Sequence, residues 1–249
     1  MENKKKEIDI ILPNYNSVNF IEQTLKSIIN QSFKNWRLII VDDFSNIETR
    51  EKIKKYEKLK KIKIYWLKKN KGAAYCRNFA INKSNSNYLA FIDSDDIWEK
   101  NKLKSQILFM KKNKYDFTYT YYKTFGLKDK RITTPSQFSF DKFIKDTSIG
   151  TSTMMIKKKL VNNINFTSTP ICEDYHFKCK VLKKIKFAHC LRKYLTRYRI
   201  RTNSLQSNKL KNFFWIWKIN SKYNKLNFFE NLKSLFFISL NSIKKYGLK

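Results

Sequence analysis

Short apolar runs rich in β-branched and aromatic residues alternate with helical patterns over the first hundred residues. Each run is bounded by polar residues, which predicts a β-strand rather than a buried helix. The predicted strands cover residues 8–12, 36–41, 62–67 and 88–92. Such alternation implies parallel strands joined by right-handed crossovers, so we predict an α/β fold with a mostly parallel central sheet flanked by helices.

Helical patterns fill the intervals between these strands. Asn19 is predicted to cap a helix over residues 19–31, with Glu22 at the capping-box position. The other predicted helices of the first half cover 49–60 and 73–82. The second half is less regular, with predicted strands at 116–122 and 153–156 and predicted helices at 139–146 and 173–183.

Length and composition favour one continuous domain. The 249 residues suffice for one large α/β domain, and 4 Gly and 3 Pro leave no stretch that is typical of a flexible linker. We predict a main domain over residues 1–205 and a tail over 206–249.

The sequence carries no signal for export or for a membrane span. The four cysteines form no C-x-x-C pair and match no recognised zinc spacing with the two histidines. The N-terminus lacks the apolar segment of a signal peptide, and no apolar stretch approaches the roughly 20 residues that a membrane span needs. We therefore predict a cytoplasmic protein.

The chain is strongly basic, with a formal net charge of +33 from 53 Lys and Arg against 20 Asp and Glu. This charge attracts polyanions in general, whether nucleic acid, an anionic membrane surface or phosphorylated substrates. Lysine is spread along the whole chain, and Lys, Asn, Ile and Phe share A/T-rich codons, which favours compositional drift as the main cause. The charge alone therefore identifies no partner.

Acidic residues are nevertheless grouped where predicted strands end. Asp42 and Asp43 follow the second strand, and Asp93, Asp95 and Asp96 follow the fourth. Ligands of open parallel sheets bind outside these carboxyl ends. Grouped carboxylates raise one another's pKa or require a cation, and Mg²⁺ or Mn²⁺ prefers such oxygen ligands. A solvated turn is the alternative, but the apolar flanks of the second group favour a metal site.

Six ordered motifs resemble those of the family-2 inverting glycosyltransferases. They are Ile-Leu-Pro-Asn-Tyr-Asn at 11–16, Leu25-x-x-Ile28-x-x-Gln31-Ser32-Phe33, Ile-Val-Asp-Asp-x-Ser at 40–45, Asn70-x-Gly72 with Arg77-Asn78, Phe-Ile-Asp-Ser-Asp-Asp at 91–96, and Glu173-Asp174. The resemblance covers residues 7–200 and implies the GT-A fold, a Rossmann-like arrangement, of enzymes that build bacterial surface polysaccharides and lipopolysaccharides. One departure is Phe44, at a position where glycine is commoner.

This resemblance implies a nucleotide-diphospho-sugar donor, with a UDP-sugar favoured, bound within residues 1–98. Asp43 would accept a hydrogen bond from the base, and Arg77 would balance the donor pyrophosphate or the acidic group. Asp95 is implied as the direct ligand of Mg²⁺ or Mn²⁺, with Asp93 beside the metal. The implied donor-binding residues are Pro13, Tyr15, Asn16, Asp42, Asp43, Arg77 and Asp93.

The acceptor, a glycan or lipid-linked precursor, is implied to bind within residues 99–205. Asp174 is implied as the general base that takes the proton of the acceptor hydroxyl during inversion, with Ser152 and Glu173 as acceptor contacts. Two carboxylates that merely complement a helix N-terminus are the alternative for Glu173 and Asp174. A late donor-side loop is predicted from Tyr198, Arg199, Ser204 and Ser207.

The tail combines aromatic, aliphatic and basic residues at helical spacing, which predicts one or two amphipathic helices. These helices can pack on the main domain, lie on an anionic membrane, or do both. We predict peripheral binding to the cytoplasmic face of the membrane.

Two other classes of protein share some of these sequence features. A nucleotidyltransferase also needs paired carboxylates, but the first loop, residues 13–17, lacks the glycine of a triphosphate loop. A basic nucleic-acid- or membrane-binding protein without catalysis fits the charge, but carboxylates gathered at strand ends would repel phosphates unless a metal intervenes. The sequence therefore favours an enzyme.

Overall fold

A central sheet runs through the part of the chain that the computed structural model describes, residues 6–202 and 209–247. Ten strands form this sheet within those residues. They are β1 Ile8–Asn14, β2 Trp36–Asp42, β3 Ile62–Trp66, β4 Tyr88–Phe91, β5 Ile97–Trp98, β6 Phe117–Gly126, β7 Lys130–Ile132, β8 Gln137–Phe138, β9 Met155–Lys157 and β10 Ala188–Ile200.

Helices cover both faces of the sheet. They are α1 Ile21–Ile29, α2 Ile47–Lys54, α3 Ala73–Lys83, α4 Lys102–Asn113, α5 Phe140–Phe143, α6 Glu173–Leu182, α7 Lys209–Ile219 and α8 Phe228–Tyr246. Short 3-10 turns lie at Thr151–Thr153 and Lys158–Val161, and a π-helical segment, Asn220–Asn224, extends α7.

The first four strands are parallel, as predicted. The sheet order is β3-β2-β1-β4-β9-β6-β10-β5, with β7 on β6 and β8 on β10. The second half is mixed, because β9 lies antiparallel between β4 and β6, whereas β10 pairs with β6 in parallel. The predicted α/β fold with a central sheet flanked by helices is confirmed.

Alternate side chains of the parallel strands fill two separate core layers. Ile10 and Leu12 of β1 pack with Leu25 of α1, whereas Ile11 packs on the other face with Ala80 of α3. All seven residues of β1 are buried, as expected for a parallel strand covered on both faces. This burial explains the nearly continuous apolar run in the sequence.

The predicted capping box at Asn19 and Glu22 is wrong. Helix α1 begins at Ile21 after Phe20, and no side chain caps it. The amides of Phe20 and Ile21 instead donate to the backbone oxygen of Ser17, at 2.9 and 3.0 Å. A tight turn at Ser17 therefore satisfies donors that a side chain would otherwise bind.

The tail forms two helices, α7 and α8, that pack on the main domain. Asn227 and Glu230 make a capping box at the start of α8. The predicted boundary at residues 205 and 206, together with Ser204 and Ser207, lies outside the described residues. Within residues 6–202 and 209–247, no helix is both long and apolar enough to cross a membrane.

Candidate functional site

Arg77 of α3 joins two of the predicted acidic groups. Its guanidinium donates to Asp93 Oδ1 at 2.7 Å and to Glu173 Oε1 at 2.8 Å. Burial alone would lower the pKa of Arg77, but the carboxylates of Asp93 and Glu173 raise it, so the side chain stays charged. The structure therefore brings the loop after β4 against the start of α6.

Asp95 is held by arginines that follow the site in sequence. The Arg201 guanidinium contacts Asp95 Oδ2 at 2.9 Å, and Arg199 Nε donates to the Asp95 backbone oxygen at 2.9 Å. Burial, together with the neighbouring Asp93 carboxylate, raises the pKa of Asp95. Tyr198 and Arg199, predicted in a loop, lie in strand β10, and Arg201 was not among the predicted residues. Arginines at every second position, from Arg197, were the available signal, since alternate residues share one face of a strand.

Ser152 makes hydrogen bonds with the acidic loop, residues 93–96. Its hydroxyl donates to Asp96 Oδ2 at 2.5 Å and accepts a hydrogen bond from the Asp93 amide at 3.0 Å. Trp98 Nε1 donates to the Ser152 backbone oxygen at 2.8 Å. Asp96 is fully buried, and burial next to Asp95 raises its pKa well above the ordinary range. Ser152, predicted as an acceptor contact, thus supports the carboxylates directly.

Asp174 opens α6 and is paired with a lysine one turn later. Lys178 Nζ donates to Asp174 Oδ2 at 2.7 Å, and the Thr151 hydroxyl donates to the same oxygen at 2.9 Å. Burial would raise the pKa of Asp174, but the Lys178 ammonium and these hydrogen bonds lower it to about 2. Lys178 was not among the predicted site residues. Its position four residues after Asp174 on a predicted helix was the available signal, since side chains at that spacing are neighbours.

The two acidic residues after β2 have different surroundings. Asp42 is fully buried, accepts a hydrogen bond from Asn14 Nδ2 at 2.8 Å and thereby ties the ends of β1 and β2 together. Asp43 accepts hydrogen bonds from the amides of Lys71 and Gly72, both at 2.7 Å. Gly72 has φ +84°, a conformation that favours glycine, so this residue type suits the loop.

The other predicted nucleoside contacts lie close to Asp43. Pro13 is buried within β1, whereas the Tyr15 ring is 53% exposed beyond the end of the strand. Asn16 Oδ1 accepts a hydrogen bond from the Asn46 amide at 2.8 Å. These residues form an open edge beside β1 and β2, with an exposed aromatic ring available for stacking.

Acidic oxygens of the Asp93–Asp96 loop could hold a hard divalent cation. Within residues 6–202 and 209–247, however, no three Asp, Glu, His or Cys side chains are grouped closely enough to hold a metal by themselves. Magnesium-type cations commonly take one or two carboxylates and complete their coordination with water and substrate phosphates. The residues present therefore fit a metal that arrives with a phosphorylated ligand.

Comparison with known proteins finds a matching family and similar glycosyltransferases. Residues 9–185 match the family described as "Glycosyl transferase family 2". A putative teichuronic acid biosynthesis glycosyltransferase, TuaG of Bacillus subtilis, is 34% identical over 98% of this chain and 99% of its own length. The Escherichia coli UDP-Glc:alpha-D-GlcNAc-diphosphoundecaprenol beta-1,3-glucosyltransferase WfgD is 31% identical over 85% of this chain and 84% of its own.

Solved structures share the fold at low sequence identity. Staphylococcus aureus TarS in complex with UDP-GlcNAc superposes with a TM-score of 0.75 at 21% identity, covering 96% of this chain and 73% of that one. The mannosyltransferase PcManGT of Pyrobaculum calidifontis, with GDP-Man and Mn²⁺, gives 0.73 at 12% identity, covering 96% and 74%. These likenesses support the overall architecture rather than individual side-chain roles.

Proposed function

The chain belongs to glycosyl transferase family 2, and we propose that it moves a sugar, with inversion, from a UDP-sugar to a hydroxyl of a lipid-linked precursor of a cell-surface glycan. The observation that carries this proposal is the double ion pair of Arg77 with Asp93 and Glu173. This pair places a prospective metal-binding loop beside the start of α6, where Asp174 lies. The names of TuaG and WfgD support the class of product.

We propose that residues 1–98 bind the donor. The open edge formed by Pro13, Tyr15 and Asn16 would take the nucleoside, with Asp43 accepting a hydrogen bond from the base. An ionised carboxylate has about four acceptor positions, so the two amide donors already on Asp43 leave capacity for the base. Asp42 would act indirectly by holding the loop. The UDP-GlcNAc complex of TarS supports a uridine nucleotide.

We propose Mg²⁺ or Mn²⁺ as cofactor, held by Asp95 and by Asp93 directly or through water. The neighbouring carboxylates of Asp93 and Asp95 support this role, because two negative charges brought together favour a bound cation. When bound, the cation would neutralise charge that develops on the leaving diphosphate. Arg77 would balance the charge of Asp93 and Glu173 throughout.

We propose residues 99–205 as the acceptor side and Asp174 as the general base. Asp174 would take the proton from the acceptor hydroxyl as that hydroxyl attacks the sugar. A carboxylate whose pKa is held at about 2 has little affinity for a proton. We propose that acceptor binding draws the Lys178 ammonium away from Asp174 Oδ2, which would raise the pKa of Asp174 towards its ordinary value. Glu173, tied to Arg77, would fix the first turn of α6 rather than take the proton.

The proposal is tested with UDP-, GDP- and dTDP-sugars, with and without Mn²⁺. We expect donor binding to depend on the metal and to be lost in Asp95→Ala, whereas Asp174→Asn keeps binding and loses turnover. Asp141→Asn, an exposed acid on α5, is the matched control and keeps both. Absence of binding to every donor in the unaltered protein would contradict the proposed function.

A lipid-linked acceptor would bring the enzyme to the membrane. WfgD, by its name, acts on a diphosphoundecaprenol-linked sugar. We propose that this chain works from the cytoplasm at the inner face of the membrane on an acceptor of the same kind.

A further inference from the structure

Helix α8 buries polar side chains beside the apolar Ile238 on its inner side and exposes apolar side chains on its outer side. Asn231 and Ser234 are fully buried. Ser234 Oγ donates to the Ile144 backbone oxygen at 2.6 Å, and Asn231 Nδ2 donates to the Trp217 backbone oxygen at 3.0 Å. Phe229, in contrast, is 79% exposed. A surface helix normally exposes polar side chains, so the apolar outer side has the character of a surface that binds a partner.

Exposed apolar residues of α8 form one continuous stripe, which we call the outer stripe. They are Phe228, Phe229, Leu232, Phe236, Leu240 and Ile243, whereas Phe237, 36% exposed, lies outside this stripe. At 3.6 residues per turn these positions fall within an arc of about 120°. The outer stripe therefore offers a single face rather than scattered apolar contacts.

Helix α7 extends this face. Leu210, Phe214 and Trp217 share one side of α7 by the same spacing, and Leu210 and Phe214 are exposed. The ring centroids of Trp217 and Phe228 lie 5.6 Å apart, so the side of α7 meets the outer stripe of α8. Two helices thus present aromatic and aliphatic side chains along one surface.

The charge around the outer stripe selects its partner. Residues 209–247 contain eight lysines but a single acidic residue, Glu230. Lys233 and Lys244 are exposed on α8, close to the stripe. A second copy of the same face would bring two equally basic surfaces together, which is unfavourable. An anionic lipid surface accepts both the aromatic side chains and the lysines.

We infer that the outer stripe of α8, continued by α7, is a docking surface for the anionic headgroup and acyl region of a lipid bilayer. The helices lie flat on the bilayer, with the aromatic rings inserted and the lysine ammonium groups at the headgroups. This surface is linked to the candidate base: the hydroxyl of Tyr175, next to Asp174, donates to Asn220 Oδ1 at 2.7 Å. Asn220 Nδ2 in turn donates to Ser234 Oγ at 3.0 Å. The inference deepens the proposed membrane location but rests on the surface itself.

The experiment is co-sedimentation of the full chain with vesicles of phosphatidylglycerol and phosphatidylcholine at low salt. The double variant Phe229→Glu, Phe236→Glu is expected to lose at least about tenfold in apparent affinity. The matched control replaces Leu108 and Leu127, exposed leucines elsewhere on the domain, by glutamate and keeps the affinity of the unaltered protein. The variant Lys233→Glu, Lys244→Glu is expected to release from the vesicles at lower salt.

Circular dichroism verifies that the variants keep their helices, as expected because all substituted side chains are exposed. Binding by the Phe229→Glu, Phe236→Glu variant that equals that of the control overturns the inference. A dimer in solution that this variant dissociates, without vesicle binding by the unaltered protein, also overturns it in favour of a second copy. Metal-dependent donor hydrolysis stays unchanged in the stripe variants. Its absence from the unaltered protein would contradict the proposed function alone, since vesicle binding is measured separately.

Discussion

Replacing Lys178 by methionine removes the ammonium that keeps Asp174 ionised. The pKa of Asp174 is about 2 in the folded protein, against an ordinary value of 3.8. This difference corresponds to about 2.5 kcal/mol of favourable interaction with the charged carboxylate. We expect Lys178→Met to lower the free energy of unfolding at pH 7 by about that amount, because the largely buried carboxylate then keeps only the Thr151 hydroxyl and the Tyr175 amide as hydrogen-bond donors.

The pH dependence gives the sign of this effect. A depressed pKa in the folded state stabilises the protein above pH 4, and that stabilisation is lost as the pH falls towards 2. In Lys178→Met the pKa of Asp174 rises, because burial is then opposed only by Arg77 and the Thr151 hydroxyl. Protonation of Asp174 then reduces the destabilisation of the variant as the pH falls. The difference in unfolding free energy between the variant and the unaltered protein is therefore largest at pH 7 and smaller at pH 4.

Urea denaturation, followed by tryptophan fluorescence at both pH values, measures this deficit. Lys184→Met changes an exposed lysine just after α6 and serves as the control. The double variant Asp174→Asn, Lys178→Met should be more stable than Lys178→Met alone, because it buries no unpaired charge. A Lys178→Met deficit no larger than that of the control, or one that does not change with pH, would refute the reasoning.

Three further changes test other parts of the structure. Arg201→Ala should bind Mn²⁺ several-fold more tightly in the absence of donor, measured by calorimetry, because the guanidinium now contacts Asp95 Oδ2; unchanged or weaker binding would argue against Asp95 as a ligand. Gly126→Ala should cost about 2 kcal/mol in unfolding free energy, since Gly126 has φ +98° and its new methyl would lie 2.8 Å from a backbone oxygen; an unchanged urea midpoint would contradict this. Asp9→Ala should cost about 3 kcal/mol, because fully buried Asp9 pairs with Arg37 at 2.7 Å, and a thermal melt like that of the unaltered protein would contradict it.

The parallel half of the sheet could be predicted because local sequence patterns determine its strands. Strands β1, β2 and β4 are nearly continuous apolar runs, and the acids that follow them lie at the carboxyl edge where the sequence predicted them. The ends of β1 and β2 meet in register, with Asn14 opposite Asp42. Residues that follow two separate strands in the sequence therefore lie side by side in the structure. Hydrophobic periodicity and turn chemistry alone therefore predict the parallel strands and the acidic residues at their carboxyl ends.

The remainder depends on contacts between distant residues, which no local pattern encodes. Strand β9 has three residues, and its antiparallel place between β4 and β6 follows from pairing partners more than 25 residues away. Arg201 reaches Asp95 across more than 100 positions. The role of Ser152 beneath the acidic loop is equally non-local. Helix spacing did predict the tail helices, but the polar side chains that face the domain are visible only in three dimensions.

The buried asparagines of the tail add directional hydrogen bonds to the apolar contacts of Ile238 and so fix the rotation of α8. Asn220 bonds to Asn231 and Ser234, and each partner must keep its angle as well as its distance. In water, a helix held by apolar packing alone could rotate to bury its aromatic rings, but rotation of α8 would leave these amides without hydrogen-bond partners. The rings therefore stay outward before any lipid arrives. Arrival at a membrane should therefore need no rearrangement of the tail, so its rate would be set by diffusion and by the attraction between the lysines and the anionic lipid.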